Sequence, residues 1–373
     1  MHLEEIKLAN YRNYETADVS FSEGINVFLG ENAQGKTNLM EAIYVLAMTR
    51  SHRTSNDKEL IHWQEDFARL TGRIQKKNTS FPLEITISSK GKKAKFNHLE
   101  QKKLSDYIGK LNVILFAPED LSLVKGSPSV RRKFLDMEMG QMSPIYLHHL
   151  VNYQHILKQR NNYLKQLMLK KAKDLTFLEV LTEQLATHGA AILQERFLFV
   201  QKLESWAKPI HAEISRQKEE LQIEYQCTIT ATDKADKDQL YLDLLAAFEK
   251  VKKRELDQGS TLVGPHRDDL KFIVNQQNVQ TYGSQGQQRT TALSVKLAEI
   301  DLMKEMTDEY PLLLLDDVLS ELDDERQTHL LKAIENKVQT FLTTTSLDGI
   351  KKNMLEAPRV FHVTDGHVEM ESE

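Results

Sequence analysis

The chain has 373 residues, a formal net charge of −5 and one cysteine, Cys227. That length allows two or three domains with a sizeable core. The slight acidity excludes a globally basic polyanion binder, so any nucleic-acid surface must be a local patch, and one thiol excludes an internal disulfide or a cysteine-built zinc site.

The first residues, Met1-His2-Leu3-Glu4-Glu5, lack the basic start and apolar run of a signal peptide. The longest aliphatic run, 312–315, is too short to cross a bilayer. The expected location is cytoplasmic. Leu3, Ile6 and Leu8, then Val19 and Phe21, then the run 25–29 read as strands. A helix is expected over 38–47, with Leu39, Ile43 and Leu46 on one face. Further strands are expected at 67–74, 83–87 and 113–116. Residues 146–173 and 175–206 contain no proline and one glycine, Gly189, and carry heptad-like leucine spacing. They read as an antiparallel helical hairpin. Residues 221–229 alternate as a strand that would bury Cys227, and a helix over 237–257 should stop near Gly259. Segments 270–274 and 279–282 read as strands around a Gln-Gln turn. A helix at 290–307, a buried strand at 311–315, a helix at 324–335 and a strand at 340–343 complete the pattern. Trp63 and Trp206 are expected in the core. The expected fold is an α/β core built from both chain ends, residues 1–120 plus 260–373, with a mainly helical inserted domain at 121–259.

Three motifs carry chemistry. Gly30-Glu31-Asn32-Ala33-Gln34-Gly35-Lys36-Thr37, followed by Asn38, fits G-x-x-x-x-G-K-[ST] between a strand and a helix. Such a loop curls backbone N–H groups around phosphates, with the lysine on the β/γ-phosphates and the threonine hydroxyl on Mg²⁺. ATP with Mg²⁺ is the implied cofactor. Leu312-Leu313-Leu314-Leu315-Asp316-Asp317 delivers two carboxylates from a buried strand. Asp316 would hold the metal, and Asp317 would act as general base on the attacking water. Ser284-Gln285-Gly286-Gln287-Gln288-Arg289 opens a helix, and Ser320-Glu321-Leu322-Asp323 follows the acidic pair. Alone, each of these last two pieces suits an ordinary helix start.

In this order the motifs resemble the ATP-binding-cassette ATPases, in their chromosome-associated, SMC-like branch. The resemblance makes the expected α/β core a P-loop ATPase head of the ATP-binding-cassette type. More narrowly the chain is similar to the RecF family of bacterial recombination mediators. The matching segments are Asn10-Tyr11-Arg12-Asn13-Tyr14, the loop 30–38 with Glu41-Ala42, Pro118-Glu119-Asp120-Leu121, Arg131-Arg132-Lys133-Phe134-Leu135-Asp136, Gly264-Pro265-His266-Arg267-Asp268-Asp269, and the segments 282–289 and 313–323. The resemblance implies an ATP-dependent homodimer in which Ser284, Gly286 and Gln287 of one subunit close over the nucleotide of another. It implies binding to gapped duplex, single-stranded and double-stranded DNA, loading of a recombinase, and the RecR and RecO mediators as partners. The chain departs from the wider cassette pattern. Thr343, Thr344 and Thr345 stand where a histidine is usual, Glu119 is the nearest polar candidate where a glutamine is usual, and Asp317 replaces glutamate. These departures imply slow turnover, as suits a switch.

Basic clusters occur at Lys90, Lys92, Lys93 and Lys95; at Arg131, Arg132 and Lys133; along Lys158, Arg160, Lys165, Lys170 and Lys171; and at Lys252, Lys253 and Arg254. Taken singly each reads as a solvated face, and together they permit sequence-independent phosphate contacts. Arg53 reads equally as a phosphate contact or a surface residue. The competing class is a transporter-type ATPase subunit, against which the absent histidine and the long helical insertion argue.

Overall fold

The computed structural model describes residues 1–319, 322–347 and 358–371. It begins with an antiparallel hairpin, β1 (His2–Tyr11) and β2 (Tyr14–Ser20), turned at Arg12 and Asn13. β3 (Ile25–Leu29) leads into α1 (Lys36–Met48). Then come β4 (Phe67–Gln75), β5 (Ser80–Ser88), β6 (Gly91–Phe96), β7 (Leu99–Glu100) and β8 (Val113–Phe116). β4 and β5 alternate buried and accessible residues, as one covered face requires. They join a six-stranded antiparallel sheet in the order β2-β1-β4-β5-β6-β7. At Gly72 on β4 a Cβ would lie 2.5 Å from the Leu46 side chain, so the missing side chain lets α1 approach the sheet.

The central segment contains α2 (Leu121–Lys125), α3 (Pro128–Met142), α4 (Pro144–Met168) and α5 (Leu175–Ile214). Asp174 caps α5 by accepting from the Thr176 and Phe177 amides. α4 and α5 are antiparallel: His149 meets His188, Arg160 meets Thr182, and Tyr163 meets Phe177. α5 continues past the expected end at Trp206, through Pro209. β9 (Leu221–Gln226) follows, then α6 (Lys237–Gln258), which stops at Gly259 in the left-handed conformation, φ 63°. β10 (Asp269–Val274) pairs antiparallel with β9 and with the short β11 (Gln277–Asn278). The segment ends with α7 (Val279–Tyr282) and α8 (Gln285–Thr307).

Three expectations change here. Val279–Tyr282 is a helical turn, not a strand. Asn275 and Gln276 take the positive φ angles that turn the hairpin, so pairing ends at Asn278, whose side chain then caps α7. Cys227 lies just beyond β9 and is half-buried. The strand at 269–274, grouped above with the nucleotide-binding segment, pairs with β9 of the central segment.

The C-terminal part supplies β12 (Leu312–Asp316), α9 (Asp324–Ile334), β13 (Thr340–Thr344), β14 (Arg359–Thr364) and β15 (His367–Met370). With β3 and β8 they form a sheet in the order β15-β14-β3-β13-β12-β8, parallel except for β15. β12 is buried along its whole length, as a central parallel strand should be. Phe28, Phe341 and Phe361, on β3, β13 and β14, pack ring to ring with Phe21, with paired centroids 4.9–6.1 Å apart. The chain divides into two compact units, Met1–Asp120 with Lys296–Glu373, and Leu121–Val295. Trp63 is not in a core: it is 82% exposed.

Candidate functional site

The loop between β3 and α1 is held open by backbone geometry. A Cβ at Gly30 would lie 2.4 Å from the Val363 carbonyl oxygen on β14, so only glycine fits. Gly35 caps α1 at φ 118°, and a Cβ there would lie 2.7 Å from Asn13 Nδ2. Ala33 is held left-handed at φ 66°, a strain of order 1 kcal/mol. Braces come from two directions. Asn13 Nδ2 donates to the Gln34 carbonyl (3.2 Å), Asn38 Nδ2 donates to Asn13 Oδ1 (2.8 Å), and the Tyr14 hydroxyl donates to the Gly35 carbonyl (3.0 Å). From the β14–β15 turn, the Gly366 amide donates to the Gln34 carbonyl (3.1 Å) and the Asp365 amide to Gln34 Oε1 (2.7 Å). These braces occupy loop carbonyls and leave the loop amides free to meet an anion.

Lys36 Nζ bridges the Gly30 and Glu31 carbonyls at 2.7 Å each. Burial pushes its ammonium below the ordinary lysine value, against the pull of Asp317 and Asp316. Thr37 Oγ1 donates to Asp316 Oδ1 at 3.1 Å. β12 thus brings its terminal carboxylate to the first turn of α1, 279 residues away in sequence. Asp316 is buried and Asp317 is exposed. Asp317 takes a left-handed conformation, φ 53°. Thr343 touches both: its hydroxyl donates to Asp316 Oδ1 (2.9 Å) and accepts from the Asp317 amide (2.8 Å). The sequence marked Thr343 only as the place of a missing histidine; the structure makes it the residue that fixes both acids.

A second network supports the loop. Arg12 clamps Glu41 of α1 through two N–H groups, each at 2.8 Å. Ser51 donates to the same carboxylate. Burial would raise the Glu41 carboxyl, but Arg12 and Ser51 hold it below its ordinary value. Arg53 donates to Asn38 Oδ1 at 2.8 Å and lies 3.7 Å from Glu41, so its half-exposed guanidinium is tied to α1.

Ser284, Gly286 and Gln287 lie in the other unit, at the start of α8. The Ser284 hydroxyl accepts from the Gln287 amide (3.2 Å), and Gln287 Oε1 accepts from the Ser284 amide (2.9 Å). This is a capping box. Gln287 Nε2 also donates to Glu219 Oε1 (3.0 Å), and Glu219 Oε2 meets His211 Nε2 at 3.1 Å. His211 is buried, and desolvation lowers its pKa against the opposing charge of Glu219. Neither Glu219 nor His211 was singled out from the sequence, because Gln287, which links the pair to the start of α8, lies 68 residues beyond Glu219 and no spacing announces it. Ser320 and Glu321 lie outside the described residues, and Asp323 caps α9 by accepting from the Arg326 amide at 3.0 Å.

A family model described as "RecF/RecN/SMC N terminal domain" matches residues 2–369. A "DNA replication and repair protein RecF" from Enterococcus faecalis is 62% identical over 374 residues, covering 100% of both chains. Its counterpart from Latilactobacillus sakei is 61% identical over 370 residues, covering 99% of this chain and 98% of the other. The chain belongs to the RecF family. A solved structure titled as the recombination mediator protein RecF with ATP in the RecFOR pathway is 35% identical. It superposes with a TM-score of 0.92, covering 100% of this chain and 98% of that one. An Smc head domain from Pyrococcus furiosus, 16% identical with a TM-score of 0.56, covers 99% of this chain and 96% of its own and shares the fold.

Two segments that carried the RecF resemblance prove to be partners. Arg131 makes a two-pronged pair with Asp269 (2.7 and 2.9 Å), and Arg132 donates to the Asp268 carbonyl (2.8 Å). Arg196 joins them, donating to Asp136 (2.7 Å), the Tyr146 and Tyr225 hydroxyls (3.0 and 2.9 Å) and the Pro265 carbonyl (2.8 Å). His266 meets the Tyr153 hydroxyl at 2.7 Å, and burial lowers its pKa to about 4. His188 meets His149 ring to ring at 2.9 Å. Arg160 is enclosed by Glu255, Thr261 and Thr182 at 2.7–3.0 Å. Arg131 and Arg160 are therefore buried structural cations and leave the list of candidate phosphate contacts. Lys92, Lys93 and Lys95 pair with Asp57, Glu100 and Glu84. Cys227 sits 3.6 Å from Asp268, and burial pushes its thiol up to about 12, which leaves it protonated and inert.

Proposed function

We propose that the chain is an ATP-gated DNA-binding protein of recombinational repair, working in the cytoplasm as a homodimer. In this reading it acts at single-strand gaps and junctions of single- and double-stranded DNA, helps load the recombinase, and cooperates with RecR and RecO. The observation that carries it is the braced phosphate loop, with Thr37 and Asp316 brought together at 3.1 Å, in a chain of the RecF family. Among the described residues no group of three acids, cysteines or histidines could form an all-protein metal cage. A hydroxyl and a carboxylate side by side fit Mg²⁺, which prefers few protein oxygens and completes its shell with water and phosphate.

Each residue then has a role. The amides of Gly30, Glu31, Asn32, Ala33, Gln34 and Gly35 face the phosphates, and Asn38 keeps Asn13 in place. Lys36 leaves its two carbonyl partners for the β/γ-phosphates. Thr37 and Asp316 would hold Mg²⁺, which supplies charge neutralisation between the phosphates. Asp317 orients and deprotonates the attacking water. Ser284, Gly286 and Gln287 meet the γ-phosphate of a second copy, so the nucleotide favours the closed dimer by differential affinity. With threonines at 343–345 where the wider cassette pattern has a histidine, and aspartate at 317 where it has glutamate, hydrolysis is slow and serves as a timer. The transporter-type alternative loses its support because the family match extends over 2–369, including the helical insertion.

The test is binding to gapped duplex DNA with and without ATP·Mg²⁺, with mass read by light scattering in the same samples. The expected result is ATP-dependent DNA binding with doubling of the mass. Nucleotide binding with neither dimer nor DNA affinity would overturn the clamp reading.

A further inference from the structure

Within the central unit, β9 pairs with β10 along one edge, and no strand among the described residues pairs with its other edge. Beside that edge runs α5. Between them lies a groove of about 770 Å³, lined on the helix by Gln194, Phe197, Leu198, Gln201 and Glu204 and on the strand by Ile223, Glu224 and Tyr225. The helix residues recur at three- and four-residue spacing, so they form one stripe. Two ties mark the groove's length. Gln194 Nε2 donates to the Ala235 carbonyl (2.5 Å), and Lys208 pairs with Glu220 (2.5 Å). The α5 positions of these ties are separated by about 21 Å of helix rise, the length of a strand of about six residues.

An open strand edge is ordinarily a hazard that folds cover or blunt. Here it faces a helix stripe that is apolar in the middle, at Phe197 and Leu198, and polar at Gln194, Gln201 and Glu204; Leu198 is 45% exposed. The charge of the lining is acidic, from Glu195, Glu204 and Glu224. The cation in the lining, Lys234, sits over the Phe197 ring at 5.2 Å, and Lys271 stands across the ladder from Glu224. An acidic lining disfavours a phosphate backbone, so the groove does not suit nucleic acid. An unpaired edge offers alternating N–H and C=O groups, which an extended chain can match, with its side chains falling alternately toward the stripe and toward the carboxylates.

We propose that this groove binds an extended, basic polypeptide segment of a partner protein, which adds as a strand to β9. The segment alternates apolar residues, set against Leu198 and Phe197, with Lys or Arg, set against Glu195, Glu204 and Glu224. The groove lies close in sequence to the signature contact, since Glu219, two residues before β9, accepts from Gln287.

The test uses the full-length protein and a phage-displayed library of random twelve-residue peptides, followed by synthesis of the enriched sequences. The expected outcome is enrichment of alternating apolar and basic peptides. Binding of a synthesised winner should fall at least about tenfold in a Glu195→Lys, Glu224→Lys double variant, with ATP binding unchanged. N-methylation of alternate backbone amides in the same peptide should abolish binding without touching the protein, and hydrogen exchange of the Ile223 and Tyr225 region should slow on binding. Enrichment of acidic or proline-broken peptides, tolerance of N-methylation in both registers, or no enrichment at all would overturn the proposal. So would a doubling of mass without peptide that disappears in the double variant, which assigns the edge to a second copy of this chain.

Discussion

Around Asp316 neutral groups meet the charged ones. Lys36 is held by two carbonyl oxygens, Asp317 is exposed, and the carboxylate of Asp316 accepts from the Thr37 and Thr343 hydroxyls. Around Arg196 the same residue types close on one another, and the guanidinium finds a carboxylate, two phenols and a carbonyl. Both regions are buried enough for burial to matter. The difference is that the Arg196 guanidinium meets an opposite charge, whereas the Lys36 ammonium rests on neutral carbonyls. Buried charge by itself therefore says little about function; whether its partners are already present says more.

The comparison can be broken first at Arg196. Arg196→Met leaves Asp136 without its cation, although the Tyr146 hydroxyl still donates to it, and should cost about 3–5 kcal/mol in urea unfolding. Nucleotide affinity of the folded fraction should be unchanged. The opposite result is expected at Lys36. Lys36→Met should weaken ATP binding at least about 100-fold, or roughly 2.7 kcal/mol, with a melting temperature equal to or above that of the parent, because a desolvated ammonium has been removed.

A third test uses pH. The unfolded chain protonates His266 as pH falls through its ordinary value of 6.5, whereas the folded chain does so only near 4. The unfolded state binds more protons in that window, so this contribution to stability is present above pH 6.5 and lost as pH falls towards 4. By pH 5 the loss is about 2 kcal/mol. Urea midpoints at pH 7 and pH 5 should show it, and His266→Gln should flatten it. The smallest effect is at the surface. Lys93→Ala removes an exposed pair with Glu100 and should change stability by under about 0.5 kcal/mol.

Contiguous features of the site were legible in the sequence. The phosphate loop is one unbroken segment, and the four leucines before Asp316 announce a strand buried on both faces. What escaped was whatever depends on distant residues. Asn13 and Tyr14 brace the loop from a hairpin about twenty residues earlier, and Thr343 fixes Asp316 from a strand 27 residues beyond it. Val279–Tyr282 carries an apolar pattern too short to distinguish strand from helix, and Asn278 decides it by capping. Arg131 and Arg160 read as surface charge because composition does not show that Asp269 and Glu255 will meet them inside. Trp63 shows the converse, a large apolar ring left in solvent.

The strand that launches the phosphate loop has a consequence for synthesis on the ribosome. β3 emerges early, yet both its neighbours, β13 and β14, come from the last tenth of the chain. At bacterial translation speeds of roughly 5–20 residues per second, β3 waits roughly 15–60 s for the strands that flank it. The central unit, by contrast, is complete in one stretch and can fold while the rest is still being made. A truncated or stalled product therefore carries the full phosphate-loop sequence without the sheet that holds it open, so nucleotide competence is conferred only on chains that have been finished.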